Sequence, residues 1–341
     1  MGPWFTKLNY MITSDPLNVH HIMSKNFDNY VKGPEFREIF QPFGDGLVAA
    51  DSESRKYRRA LLQSLFRRKS YEIMSEKTIQ KKVQNSLLPI LDHACLHGKV
   101  LDLQDVFSRL MFDETCLMVL GYDPNSLSID LPLVEVAKAY DEVEESIFYR
   151  NIMPTSVWKF QEWLQIGEEK KMTKASKIFD QFLYSCIARK RQELISKCNK
   201  RSNNDVLNSI MMVSQENKMV HDDKYLRDTA FNLFAAGRGT ITSGLTWFFW
   251  LVATHPLVES KILEEIEENF GAIDGEKRNI LGIEDMQKLV YLHGALCESL
   301  RLFPPVPIER KQSLKYDTLP SGHRVNPNTT TLLFIYAMGR S

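Results

Sequence analysis

The chain has 341 residues, 43 % of them hydrophobic, with 43 Lys plus Arg against 43 Asp plus Glu. That is enough apolar side chain for one large core or two ordinary ones, and the balanced charge argues against a nucleic-acid-binding protein and against an acidic solvating tail. The five cysteines, Cys95, Cys116, Cys186, Cys198 and Cys297, are odd in number and form no C-x-x-C pair, which indicates neither a disulfide framework nor a zinc site and fits reduced thiols facing a cytosol.

At the start, Met1-Gly2 with Thr6 is a weak match to a myristoylation signal, and no charged segment followed by an apolar run marks a signal peptide. Trp4-Phe5 and Tyr10-Met11-Ile12 read as short strand pieces. Ser14-Asp15-Pro16 is a helix start, a capping residue followed by proline in the first turn. Glycine and proline punctuate 33–46. The chain then turns helical, with helices predicted over 51–65, 75–93, 102–120 (ending at Gly121), 131–150, 155–196 and 203–217. Two features on these helices have a functional and a plain reading. His93 and His97 share a face beside Cys95 and could clip a metal; without a third ligand at the usual spacing, an exposed polar helix end is the simpler reading. Arg55, Lys56, Arg58 and Arg59, with Arg67, Arg68 and Lys69, form either a docking face or a solvated helix face, and the sequence leaves both open.

Residues 224–254 are the most apolar helical stretch, and their composition predicts the most buried helix of the molecule. The longest apolar run, 245–253, is about nine residues, well short of the ~20 that span a bilayer. His255-Pro256 ends this stretch and starts a helix rich in Glu264, Glu265, Glu267 and Glu268. A loop at 271–279 and a cap at Ile283-Glu284-Asp285 precede a helix over about 286–303, which Pro304, Pro305 and Pro307 stop. After a turn at 317–322, Arg324-Val325 and 330–336 read as strands. The fold class predicted is mainly α with a small β portion built from the two chain ends.

Two local patterns carry chemistry. In Ala235-Ala236-Gly237-Arg238-Gly239-Thr240-Ile241-Thr242-Ser243, a glycine pair and three hydroxyl residues interrupt a buried helix. Glycine costs ~1 kcal/mol in a helix interior, and Ser/Thr hydroxyls can bond back and bend it. A kink is therefore expected, serving either a site or simply close helix packing. In Glu298-Ser299-Leu300-Arg301, the i, i+3 spacing puts an acid and a base on one helix face. Such a pair is often an ordinary surface salt bridge, but the apolar neighbours Leu296, Leu300, Leu302 and Phe303 predict a buried one.

In this order and spacing the two patterns resemble the cytochrome P450 family, over essentially the whole chain. The first looks like the oxygen-binding kink A/G-G-x-D/E-T, the second like the E-x-x-R helix with its proline-rich exit. The segment from Asp51 to Arg59 resembles the W-x-x-x-R helix, with Arg59 as its arginine. Trp247-Phe248-Phe249-Trp250-Leu251 and the stretch from Thr318 to Val325 look like the plant fatty-acid ω-hydroxylase and midchain alkane hydroxylase group. The resemblance implies a haem cofactor. It implies that Thr240 bonds dioxygen and helps deliver protons, that Arg59 and, more weakly, Arg310 bind haem propionates, and that Ala235 and Ala236 lie over the porphyrin. Glu298 and Arg301 would form a structural pair under the haem, with part of their network unsatisfied. The implied activity is hydroxylation of a long-chain aliphatic substrate, an alkane or fatty acid. Dioxygen and NADPH-cytochrome P450 reductase are the implied partners, and the cytosolic face of the endoplasmic reticulum membrane is the implied location.

The sequence also departs from the family. Arg55 stands where the tryptophan of W-x-x-x-R is expected, and Gly239 stands where the acid before the threonine is expected. The haem-ligand motif F-x-x-G-x-R-x-C-x-G is absent, so no metal ligand is assigned. The expectation is a single P450 domain over 1–341, incomplete, without membrane anchor and haem-cysteine region. The alternative to an enzyme is then an inactive remnant that keeps the helices and cannot ligate iron. A helical interaction protein unrelated to haem is disfavoured by the joint motif match.

Overall fold

The computed structural model describes residues 10–50, 52–195, 205–216, 221–271 and 280–341. The strand expected at Trp4-Phe5, and the loop expected at 271–279 beyond Gly271, lie outside them. Strand β1 (Tyr10–Thr13) leads to helix α1 (Pro16–His20), capped as predicted: the Asp15 carboxylate accepts the Leu17 amide at 2.9 Å, with Pro16 in the first turn. A π-helical turn, His21–Lys25, precedes β2 (Tyr30–Val31) and α2 (Pro34–Ile39). Next come α3 (Ser52–Phe66) and α4 (Lys69–Lys82), which continues through a π turn, Val83–Leu87, into α5 (Leu88–Leu96). The helix predicted from 75 thus begins earlier, at Lys69. Helix α6 (Leu103–Thr115) passes through another π turn, Cys116–Leu120, and ends at Gly121, whose φ of 61° is a left-handed C-cap.

Helices α7 (Glu135–Ile152), α8 (Thr155–Leu164), α9 (Gly167–Ile195) and α10 (Val206–Glu216) follow. The one helix predicted over 155–196 is two, because Gln165 and Gly167 take φ of 52° and 58°, outside any right-handed helix. The chain continues as α11 (Asp223–Gly237), α12 (Gly239–Thr254), α13 (Pro256–Phe270), α14 (Ile283–Met286) and α15 (Val290–Leu302). It closes with β3 (Ile308–Ser313), β4 (Asp317–Thr318), β5 (Arg324–Val325), β6 (Thr330–Phe334) and α16 (Ile335–Met338). The last predicted strand is therefore two residues shorter, its end turning helical at Ile335.

The two chain ends build the main sheet, as predicted. Its strand order is β1-β6-β3-β2, with β1 parallel to β6 (Tyr10 opposite Thr330) and β3 antiparallel to β6 and β2; β4 and β5 pair separately. The residues group into two compact units. One comprises Met1–Gly33, Asp102–Phe107 and Gly239–Ser341. Its sheet-side core is Ile22, Tyr30, Leu319, Val325 and Leu333. Here Asp317 Oδ2 accepts from Tyr30 Oη at 2.8 Å and Asn26 Nδ2 at 3.0 Å and pairs with His21 Nε2 at 2.9 Å, tying the start of the chain to β4.

The other unit comprises Pro34–Leu101 and Ser108–Arg238. Its core interlocks aromatic rings from α7, α9 and α11: Tyr140 lies 5.1 Å from Phe179, and Phe179 packs edge-on against Phe231 at 5.0 Å and Phe234 at 5.3 Å. The predicted buried helix over 224–254 needs correction. It breaks at Arg238, and only its first part is a core helix. Leu226, Ala230, Phe231 and Phe234 have no exposed surface, whereas Ile241, Phe249 and Trp250 on α12 are 44–52 % exposed. Helix α12 rests mainly on α13 and α15, which leave part of this all-round apolar helix uncovered. No single helix among the described residues is long and apolar enough to cross a membrane.

Candidate functional site

The break between α11 and α12 is the feature the glycine pair foretold. Helix α11 ends at Gly237, and α12 starts at Gly239. Arg238 keeps its amide on the Phe234 carbonyl at 3.0 Å. A Cβ on Gly237 would stand 3.3 Å from Thr115 Oγ1, so the small residue lets α11 lie close against α6. Ala235 is half-buried and Ala236 exposed, while Thr240 is half-buried in the first turn of α12. Further along α12, Thr246 Oγ1 bonds back to the Thr242 carbonyl at 2.8 Å and Thr242 Oγ1 donates to the Phe107 carbonyl at 3.5 Å. The hydroxyls thus serve helix packing as well as the break.

Sequence reasoning missed Arg238 itself. Its guanidinium is buried, and it donates to both oxygens of Asp141 and to Ser108 Oγ. The available signal was the single charged side chain between Thr229 and Thr254, which must find partners to be buried at all.

The Glu298–Arg301 pair is formed, and it is exposed rather than buried. Arg301 Nε and Nη2 donate to the Glu298 carboxylate at 2.7–3.1 Å, with side-chain exposures of 47 % and 61 % for Arg301 and Glu298. The correction has a local cause: α15 turns Ser299 inward, 2 % exposed, so its neighbours Glu298 and Leu300 face outward. Nor is Arg301 unsatisfied, since its Nη1 donates to the Gly339 carbonyl. The polar atom left without a partner on this helix is Ser299 Oγ.

Arg59 is exposed on α3. Its neighbour Arg58 lies over the Tyr225 ring at 4.2 Å, so the basic cluster is partly packed and not wholly a solvated face. Arg310 on β3 lies over the Tyr10 ring at 5.8 Å. The expected site residues are divided between the units: Arg59, Ala235 and Ala236 in one; Gly239, Thr240, Glu298, Arg301 and Arg310 in the other. The structure joins the side chains of Glu298 and Arg301. The His93 and His97 rings lie tilted with centroids 4.1 Å apart, and among the described residues no three His, Cys, Asp or Glu side chains cluster as for a metal ion.

The cytochrome P450 family model matches residues 2–341. This chain belongs to the cytochrome P450 family. Alkane hydroxylase MAH1 of Arabidopsis thaliana is 40 % identical over 343 residues, covering 99 % of this P450 chain and 67 % of that protein. Noroxomaritidine synthase of Narcissus aff. pseudonarcissus MK-2014 is 37 % identical (99 % and 66 % covered), and cytochrome P450 86B1 of Arabidopsis thaliana is 35 % identical (99 % and 62 % covered). The chain thus spans about two thirds of the length of the curated relatives it matches. Solved structures agree in fold. A retinoic acid-bound cyanobacterial P450 superposes with a TM-score of 0.75 at 17 % identity (97 % and 67 % covered), and a zebrafish P450 with progesterone with 0.77 at 20 % identity (99 % and 76 % covered).

The family is one of haem-dependent monooxygenases. A cysteine holding the iron would have to be a thiolate, and burial pushes the Cys116 and Cys186 thiols up, away from ionisation. Cys95 is exposed on α5, and Cys297 is exposed on α15 with its sulfur 3.8 Å from His293 Nε2. No described cysteine stands in the ligand motif.

Proposed function

We propose that this P450 acts in a haem-thiolate monooxygenase that hydroxylates a long-chain aliphatic substrate, an alkane or a fatty acid. Dioxygen and electrons from NADPH-cytochrome P450 reductase would be consumed at the cytosolic face of the endoplasmic reticulum membrane. The observation that carries the substrate class is the 40 % identity to an alkane hydroxylase over 99 % of the chain. Haem supplies the oxygen-activating iron. The chain's own residues hold, shape and protonate. Thr240 presents a hydroxyl that can both donate and accept, so it can hold a proton where oxygen is reduced. Ala235 and Ala236 keep that face open to a slender chain. Arg59 and Arg310 offer guanidinium groups for propionates. Gly239 supplies no carboxylate, which leaves proton delivery to Thr240 and water.

A second reading has its own support. Residues 1–341 contain no F-x-x-G-x-R-x-C-x-G, and their buried thiols are held un-ionised. By themselves these residues would neither bind haem through a thiolate nor hydroxylate anything, and both units read as parts of one P450 domain. The test of the first reading is a chimera of residues 1–341 with the parts of the Arabidopsis alkane hydroxylase outside the matched region. Supplied with reductase, NADPH and dioxygen, it is expected to hydroxylate a long-chain alkane or fatty acid. A chimera with a normal haem spectrum that converts neither would overturn the substrate assignment.

A further inference from the structure

We propose that residues 42–48 form a strap that clasps α11 at two points and opens as one piece. The strap and α11 belong to the same compact unit, and the proposal does not depend on the monooxygenase reading. Four backbone groups of the segment end on side chains of α11. The Asp45 amide donates to Asp228 Oδ2 at 3.0 Å, and the Val48 amide donates to Asn232 Oδ1 at 2.7 Å. The Phe43 carbonyl accepts from Asn232 Nδ2 at 2.9 Å, and the Pro42 carbonyl accepts from Arg227 Nη1 at 2.7 Å. Asp228 and Asn232 are one helical turn apart, so the two anchors share a face of α11; they are 2 % and 3 % exposed. The anchors are themselves held. Asp228 pairs with Arg227 at 3.0 Å and with Lys224 at 2.9 Å, and Asn232 Nδ2 also reaches the Asp228 carbonyl at 2.7 Å.

Two glycines show how closely the segment seats. A Cβ on Gly44, whose φ is 60°, would overlap Asp228 Oδ1, and a Cβ on Gly46 would overlap Asn232 Nδ2. Each glycine thus faces one anchor, and any side chain there would hold the strap off the helix. Beneath the clasp lies apolar surface: Phe43, 4 % exposed, packs 4.9 Å from Phe231, which has no exposed surface. The strap meets α11 mainly through hydrogen bonds, each of modest net worth in water, whereas α7, α9 and α11 interlock through aromatic rings. The strap is therefore the part that opens first, while the helices stay folded. Its two anchors are joined by a short stretch of backbone, so release of one lifts the strap from the other and bares Phe231.

Amide hydrogen exchange in residues 1–341 tests this. The reporter is the Asp45 amide, whose own acceptor, Asp228, is left intact. Asn232→Ala removes the second anchor, and Gly46→Ala wedges the strap away from it without touching α11. Each variant should speed exchange of the Asp45 amide roughly tenfold, as expected for the loss of one hydrogen bond that holds a shared opening. Chymotrypsin cleavage after Phe43 and Leu47 should rise by the same factor, because cleavage follows the open population. Exchange at 179–187 in α9 should stay unchanged. An Asp45 amide that keeps its rate in both variants shows two independent contacts and overturns the strap. Exchange raised equally at 179–187 shows global unfolding and overturns it too, as does an Asp45 amide without protection in the unmutated protein.

Discussion

Glu114 is an acid that no part of the proposed function uses, and it is 6 % exposed with Oε2 lacking any partner. Burial, the largest cause, raises its carboxyl from the ordinary value of 4.5 to about 7, against the pull of Lys82 and with Asp123 and Asp113 adding to the rise. The folded state therefore binds this proton more tightly than the unfolded chain does. Its contribution to stability is greatest below the unfolded value and is lost as pH rises through the folded one. Glu114→Gln should accordingly leave stability at pH 5 nearly unchanged and raise it at pH 8 by roughly 1–3 kcal/mol; chemical denaturation at both pH values measures it, and a variant less stable at pH 8 would contradict the assignment. Glu298 is the opposite case, an exposed acid whose carboxyl is held low by the Arg301 hydrogen bond. Glu298→Ala should leave the thermal midpoint of residues 1–341 where it is, because an exposed i, i+3 pair adds little. A drop of several degrees would show that the pair supports the fold after all. The pair's existence was legible from spacing. Its burial was not, because apolar neighbours in sequence alternate around a helix and do not say which face meets a partner.

At the scale of elements, α7 and α9 are held by a buried pair. Arg150 Nε and Nη2 donate to the two oxygens of Glu169 at 2.8 and 2.6 Å, Nη1 donates to the Glu38 carbonyl at 3.0 Å, and the guanidinium lies 4.5 Å over Trp158 of α8. Removing one partner strands a buried charge, so Arg150→Met should cost about 3–5 kcal/mol, and Arg150→Met with Glu169→Leu should recover most of it. Equal losses in the single and double variants, read by denaturant unfolding, would show that the pair is not the cause. Neither residue stood out in sequence, since a partner 19 positions away follows no local rule. Helix starts and stops carried by proline and capping residues were legible, as at Asp15-Pro16 and His255-Pro256. The division of 155–196 was signalled by Gly167 alone, because the other left-handed residue, Gln165, has no turn preference. The break after Gly237 was legible from the glycine pair, but Asp141, which pairs with the buried Arg238, lies 97 residues earlier.

Over the whole molecule, the α-rich fold with a sheet built from both chain ends could be read from periodicity and turn residues, and the family from two motifs in the right order. The exposed half of α12 could not, because an all-round apolar helix signals that it can be buried and not what buries it. Haem binding is where the account is most directly at risk. Residues 1–341 contain no F-x-x-G-x-R-x-C-x-G motif. The deciding measurement is the carbon-monoxide difference spectrum of the reduced, haem-supplied chimera beside residues 1–341 alone. The account predicts a thiolate-type Soret shift in the chimera and none in residues 1–341. A thiolate signal from residues 1–341, or a folded chimera with no signal, would contradict it.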